Sequence, residues 1–82
     1  MIEIFGNSAC PYCLRAQKLA KRYSLQYEYK NIDYEKYRDE LTSLKEDYKT
    51  VPQIWWNGKY IGGYNELAAE IENTRNYGQE GF

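Results

Sequence analysis

The chain has 82 residues, 43% of them hydrophobic and 28% charged, and its formal net charge is −1. This length excludes a second hydrophobic core, and the composition is that of a folded globule rather than a disordered chain. The charge gives no global bias towards nucleic acid, and the apolar runs fall far short of the ~20 residues that span a membrane.

The first third of the chain predicts a strand and a helix. Residues 2–5 (IEIF) have the composition of a short strand and lead into a loop over residues 6–9. Pro11 suits the first turn of a helix, where its missing N–H costs nothing. Apolar residues then recur at helical spacing and predict a helix over about residues 11–23. Its expected inner face consists of Cys13, Ala16, Leu19, Ala20 and Tyr23.

The middle of the chain predicts a second strand over residues 26–33 (QYEYKNID) and a second helix over residues 34–48. Asp33 is the expected N-cap of this helix, because a side-chain oxygen there can accept a free backbone N–H. The helix carries one apolar stripe, expected to face the sheet, of Tyr34, Tyr37, Leu41 and Leu44.

The last third predicts a hairpin and a third helix. Residues 51–56 (VPQIWW) read as a strand, with Pro52 at its end or at a bulge because a central strand excludes proline. Asn57-Gly58 is a strong two-residue hairpin turn, and a fourth strand follows it. A third helix is expected over residues 64–74, and residues from about 74 to 82 are expected to form a frayed tail.

The predicted order is β-α-β-α-β-β-α. A helix that connects two strands implies a right-handed parallel pair, and the hairpin adds antiparallel strands. We therefore expect an α/β fold in a single domain over residues 1–82, with a four-stranded mixed sheet and three helices.

Both cysteines of the chain, Cys10 and Cys13, lie in the stretch NSACPYCLRA. Two cysteines three positions apart close only a tiny loop, which argues against a disulfide-stabilised secreted domain and for a reducing compartment. The first residues contain Glu3 and no long apolar run, so we expect no secretory signal and a cytoplasmic protein.

A C-x-x-C pair at the start of a helix within a βαβ pattern is typical of thiol–disulfide exchange. Cys10, before the helix, is expected to be the exposed nucleophile, because the free N–H groups and the helix dipole favour its thiolate. Cys13, within the helix, is expected to keep a higher pKa and to act as the resolving thiol. The alternatives are an incidental buried pair and a zinc site, which would need ligands from a second subunit because the chain has no histidine and no third cysteine.

Two further features stand apart from the cysteines. Residues 1–30 carry five basic and two acidic side chains, much of the excess in Arg15, Lys18, Lys21 and Arg22. These residues form either a solvated helix face or a collar that attracts anionic substrates or an acidic partner. Trp55 and Trp56 occupy successive strand positions, so their side chains are expected on opposite faces, one in the core and the other exposed near a partner surface.

Three blocks, CPYC at 10–13, TVPQI at 50–54 and IGGY at 61–64, together resemble the dithiol glutaredoxins. The match runs from Ile2 to about Asn73 in the order and spacing of that family. The resemblance implies a thioredoxin-like fold in which Pro52 is a cis-proline that faces the cysteines. Such a proline would turn the backbone of Val51 outward, where an extended substrate could pair with it.

The resemblance also implies a glutathione site in the groove between the three blocks. Its expected contacts are Tyr12, Lys49, Thr50, Val51, Pro52, Gly63, Tyr64, Asn65 and Glu66. The sequence departs from the family pattern twice. Asn7 stands where many glutaredoxins have Lys or Arg, with Lys49 as a substitute cation, and Glu66 replaces the usual Asp after the Gly-Gly turn.

The implied activity is glutathione-dependent reduction of protein disulfides and glutathione mixed disulfides by Cys10 and Cys13. The resemblance implies a monomer without a metal or a tightly bound cofactor, and ribonucleotide reductase as a protein target. Two alternatives stay open: a glutaredoxin-like protein reduced by thioredoxin reductase, and a carrier that holds an iron–sulfur cluster between two subunits.

Overall fold

A computed structural model describes the backbone of residues 1–80 and the side chains of residues 1–73. The elements follow the predicted order, and their bounds are β1 (Ile2–Gly6), α1 (Pro11–Arg22), β2 (Tyr27–Asn31), α2 (Glu35–Leu44), β3 (Gln53–Trp56), β4 (Lys59–Gly62) and α3 (Tyr64–Glu80). Within this part of the chain, no helix is long and apolar enough to cross a membrane.

The four strands form one mixed sheet in the order β2-β1-β3-β4, which confirms the predicted fold class. β1 pairs parallel with β2, so that Ile4 lies opposite Tyr29, and antiparallel with β3, where Ile4 lies opposite Ile54. Asn57 and Gly58 have φ values of 52° and 82° and form the predicted turn between β3 and β4. β1 is thus central, and the loop that follows it leaves from the middle of the sheet.

The two faces of the sheet carry separate hydrophobic clusters, because successive strand residues point to opposite sides. The larger cluster packs the sheet against α1 and α3 through Ile2, Ile4, Ala16, Ala20, Ile54, Leu67 and Ile71. On the other face, Phe5 and Trp55 pack against Leu41 of α2. Trp55 is buried and Trp56 packs against the larger cluster, so the two tryptophans lie on opposite faces as predicted. Trp56 is partly buried there rather than exposed, because α3 and α1 cover that face of the sheet.

A buried lysine holds α2 to the sheet. The Lys30 ammonium lies 2.7 Å from Glu3 Oε2 and 2.7 Å from Glu40 Oε2. Burial alone would lower the pKa of this lysine, but the two carboxylates raise it to about 12. The buried Lys30 ammonium is therefore paired with one carboxylate from the sheet and one from α2.

The prediction for the second helix was wrong in three respects. The N-cap is Tyr34 rather than Asp33, which instead accepts a hydrogen bond from the Ser8 hydroxyl. The helix ends at Leu44 rather than at residue 48. Of the predicted stripe only Leu41 is buried, and Tyr34 and Leu44 are 64% and 51% exposed. Tyr34 precedes the helix and Leu44 ends it, so both ends of the stripe lie in solvent, while Leu41 packs against the sheet.

The third helix is longer than predicted. The structure continues α3 to Glu80, six residues past the expected end near residue 74. The segment from 64 to 80 contains no proline, and its one glycine, Gly78, costs a helix only about 1 kcal/mol. Most of the expected tail is therefore helical, and residues 81 and 82 lie outside the described residues.

Candidate active site

The two cysteines mark the start of α1. Cys10 is the N-cap, with extended backbone angles (φ −98°, ψ 110°), and Pro11 is the first helical residue. The Cys10 sulfur accepts the N–H of Cys13 at 3.1 Å. It lies 3.6 Å from the carbonyl oxygen of Val51, to which the Cys10 thiol can donate. A sulfur therefore occupies the position that a serine or aspartate oxygen usually takes at a helix N-terminus.

Burial separates the roles of the two thiols. Cys10 is half-buried, whereas Cys13 is only 1% exposed. Burial, assisted by a hydrogen bond with Cys10, raises the pKa of the Cys13 thiol to about 12. Cys13 is thus a buried thiol beside a cysteine that solvent can reach, and this difference in exposure is the one expected for cysteines within and before a helix.

The loop before Cys10 is fixed by Asn7 and by a tyrosine from the neighbouring strand. The side-chain Oδ1 of Asn7 accepts the N–H of Ala9 at 3.1 Å, and the backbone carbonyl of Asn7 accepts the N–H of Cys10 at 3.3 Å. The hydroxyl of Tyr29 donates to the same carbonyl at 3.0 Å. Asn7, noted in the sequence only as a missing cation, therefore shapes the turn that presents Cys10.

Sequence reasoning missed Tyr29 as a site residue. Burial, and then the negative charge that Cys13 and Cys10 carry once they ionise, raise the pKa of its hydroxyl to about 12. A tyrosine that stays protonated keeps its O–H for Asn7. The sequence placed Tyr29 only within the predicted second strand, because its hydrogen-bond partner lies 22 positions away along the chain.

These shifts predict a loss of stability in alkali. The Cys13 thiol has an ordinary pKa of 9.0 and a native pKa of about 12, so above pH 9 the unfolded chain releases a proton that the folded chain keeps. The contribution is complete below pH 9 and is lost as the pH rises towards 12, and Tyr29 acts in the same direction. In urea unfolding of the reduced protein between pH 8 and pH 10.5, wild type should lose stability more steeply than a Cys13→Ala variant. Parallel curves would contradict this assignment.

A cleft opens on the Val51 side of Cys10. The Val51–Pro52 peptide bond is cis, as the resemblance implies. The cleft measures about 300 Å³ and is lined by eight of the nine residues expected to contact glutathione: Tyr12, Thr50, Val51, Pro52, Gly63, Tyr64, Asn65 and Glu66. The ninth, Lys49, is exposed and is not among the lining residues.

The N-terminus of α3 forms one wall of this cleft. The first N–H groups of a helix have no partner within it. Glu66 Oε1 accepts the N–H of Gly63 at 2.7 Å, whereas the N–H groups of Tyr64 and Asn65 meet no acceptor among the described residues. The wall therefore presents two free N–H donors beside the Glu66 carboxylate, and such donors suit the carboxylate of a ligand.

A second cleft lies on the opposite side of Cys10. It measures about 370 Å³ and is lined by Asn7, Ser8, Ala9, Cys10, Pro11, Leu14, Gln17, Tyr29 and Asn31. Its lining contains no Lys, Arg, Asp or Glu and includes three amide side chains. Cys10 itself lines this second cleft, whereas it borders the first cleft through the carbonyl of Val51.

Known proteins similar in sequence and in structure point to one family. The sequence model of the family described as glutaredoxin matches residues 2–61. Glutaredoxin 1 of Escherichia coli (strain K12) is 41% identical over 78 residues, which cover 87% of this chain and 92% of that protein.

Two solved structures extend the similarity to the fold. Reduced Escherichia coli glutaredoxin superimposes with a TM-score of 0.77 at 36% identity, covering 92% of this chain and 96% of that one. A buckwheat glutaredoxin–glutathione complex gives a TM-score of 0.73 at 26% identity, covering 89% of this chain and 69% of that one. The implied thioredoxin-like fold is confirmed.

Proposed function

The chain belongs to the glutaredoxin family and is a thiol–disulfide oxidoreductase, and on this premise we propose that Cys10 is its nucleophile, Cys13 its resolving thiol and glutathione its reductant. One observation carries the proposal. The half-exposed Cys10 sulfur sits beside a buried, protonated Cys13 and next to a cleft that gathers eight of the nine expected glutathione contacts.

With a glutathionylated protein, Cys10 alone completes the reaction. Its thiolate attacks the glutathione sulfur, and the protein thiolate leaves and takes up a proton. A second glutathione thiolate then attacks the Cys10–glutathione disulfide at the glutathione sulfur, which releases oxidised glutathione and restores the Cys10 thiolate. The N–H of Cys13, 3.1 Å from this sulfur, stabilises its negative charge whenever Cys10 is the leaving group.

With a protein disulfide, both cysteines are used. Cys10 attacks one sulfur and forms a mixed disulfide, which frees the first protein thiol. Cys13 loses its proton and attacks the Cys10 sulfur, which frees the second thiol and leaves a Cys10–Cys13 disulfide. One glutathione opens this bond to a Cys10–glutathione disulfide, and a second removes it as oxidised glutathione.

In the cleft, the expected position of glutathione follows from the donors. Its γ-glutamyl carboxylate would lie at the N-terminus of α3, near the N–H groups of Tyr64 and Asn65. Its cysteine would extend along the backbone of Val51 towards Cys10. The proposed substrates are glutathionylated and disulfide-containing proteins, ribonucleotide reductase among them. The proposed enzyme is a cytoplasmic monomer of one domain, without a resident cofactor or metal.

The two reductants separate this proposal from its alternative. A glutathionylated peptide should be turned over with glutathione, NADPH and glutathione reductase. Turnover only with NADPH and thioredoxin reductase would contradict the glutathione site. It would favour the alternative, a glutaredoxin-like protein that thioredoxin reductase reduces.

A negative charge placed in the cleft should weaken glutathione binding without unfolding α3. Asn65→Asp adds a negative charge beside the proposed carboxylate position, while an acid in the first turn of α3 stabilises the helix itself. A repulsion of about 1 kcal/mol corresponds to a roughly fivefold higher KM for glutathione. The matched control is Gln26→Glu, an equal charge change at an exposed loop position outside the cleft. An unchanged KM in Asn65→Asp would place the carboxylate elsewhere.

A further inference from the structure

The exposed side of α1 carries only positive charge. The helix contains Arg15, Lys18, Lys21 and Arg22 and has no acidic residue. Arg15, Lys18 and Arg22 are spaced by three and four positions and therefore share one face. They line a surface groove of about 320 Å³, here called the basic groove, with Leu19 and Tyr64.

The charges of the basic groove are not compensated within the described part of the protein. The ion pairs there involve Lys30 and Lys45, and none reaches a cation of α1. Three cations that converge on one groove without carboxylates repel one another and attract an anion. A plain solvated helix face usually mixes both signs, and α1 does not.

The basic groove is continuous with the glutathione cleft. Tyr64 lines both, and its ring centroid lies 5.9 Å from that of Tyr12, another cleft residue. The Arg15 guanidinium lies 5.0 Å from the centroid of the Tyr12 ring, so the first cation of the groove stands directly at the cleft wall. A polypeptide that is bound at Cys10 and runs past the Tyr12 and Tyr64 rings therefore enters the basic groove.

Resting on the proposed function, we infer that the basic groove binds an acidic segment of the protein substrate, next to the cysteine that reacts with Cys10. A helix rises 1.5 Å per residue, so Arg15 and Arg22 lie about 7 and 18 Å beyond Cys10 along α1. An extended chain covers at most about 3.5 Å per residue. The groove therefore suits Asp or Glu about two to five positions from the substrate cysteine.

An acidic polypeptide fits this surface better than a nucleic acid does. The groove adjoins a thiol site, and a nucleic acid offers no sulfur to Cys10. The whole chain also carries a net charge of −1, and its acidic residues 31–82 would repel a long polyanion. A short acidic segment held at one end by a mixed disulfide avoids that repulsion.

The test uses two glutathionylated peptides that differ only at the positions two to five residues from the cysteine, which are Asp/Glu in one and Asn/Gln in the other. The measured quantity is the ratio of their kcat/KM values. Wild type should favour the acidic peptide about five- to tenfold at 50 mM salt and lose most of this preference at 300 mM. A Lys18→Gln/Arg22→Gln variant should lower the ratio towards one. The control variant Lys36→Gln/Lys59→Gln removes the same charge at exposed positions elsewhere, and it should keep the wild-type ratio.

Any of three kinetic outcomes would overturn the inference: equal kcat/KM for the two peptides in wild type, an equal loss of preference in the control variant, or a higher KM for glutathione in the groove variant with an unchanged peptide ratio. Tighter binding of a single-stranded oligonucleotide than of the acidic peptide would overturn it in favour of nucleic acid.

A binding measurement keeps the inference separate from the proposed function. An acidic peptide with serine in place of cysteine should shift the NMR amide signals of Lys18 and Arg22, whether or not the enzyme turns over. If neither glutathionylated peptide is turned over but these shifts occur, the proposed chemistry fails and the docking surface stands. If turnover is normal and the shifts are absent, the docking surface fails.

Discussion

Replacing Cys10 with serine is expected to lower kcat/KM for a glutathionylated peptide by more than about a thousandfold. A serine hydroxyl is a weak nucleophile without an adjacent base, and the described residues around Cys10 offer no histidine or carboxylate for that purpose. Loss of a nucleophile usually removes nearly all of the chemical acceleration. The measurement is release of glutathione from the peptide, coupled to glutathione reductase and compared with the uncatalysed rate.

The matched control is the same exchange at the second cysteine. Cys13→Ser should keep turnover of the glutathionylated peptide, since that reaction uses only Cys10, but should lose turnover of a protein disulfide. The buried position of Cys13 gives it no direct access to a substrate, which agrees with its proposed role of attacking the Cys10 sulfur from within. Equal losses in both variants on the glutathionylated peptide would contradict the assigned roles.

The parts of this site that sequence reasoning found are those encoded locally. Cys10, Pro11 and Cys13 lie within one turn, so their local sequence indicated an exposed cysteine before the helix and a second cysteine within it. The turn at Asn57-Gly58 was predictable for the same reason, because positive φ at two successive residues has a strong local signature.

The parts that were missed depend on partners far along the chain. The apolar stripe of α2 suggested burial of Tyr34 and Leu44, but how much of a helix the sheet covers is decided by packing against β1 and β3. The contact between Tyr29 and Asn7 likewise joins β2 to the loop after β1 and leaves no periodic trace. The cleft brings together residues 12, 50–52 and 63–66, and family resemblance rather than spacing indicated that grouping.

A glycine beneath the active site carries the second large expected effect. Gly6 ends β1 and is buried against Cys13. A methyl group on Gly6 would lie 2.4 Å from Cys13 Sγ, 2.9 Å from Cys13 Cβ and 3.1 Å from Tyr29 Cε1. Gly6→Ala should therefore lower the free energy of unfolding by about 1–3 kcal/mol, the usual cost of overpacking a core. It should also slow formation of the Cys10–Cys13 disulfide, because the Cys13 sulfur must move.

A double-mutant cycle identifies the cause of this loss. Cys13→Ala removes the sulfur that the new methyl group meets, so Gly6→Ala should cost less in that background than in wild type. The rescue should be partial, because the Cys13 Cβ and the Tyr29 ring still lie close to the added methyl group. Urea unfolding of the four reduced proteins measures the coupling. Strictly additive costs would mean that Gly6 serves the backbone of β1 and not the placement of the resolving thiol.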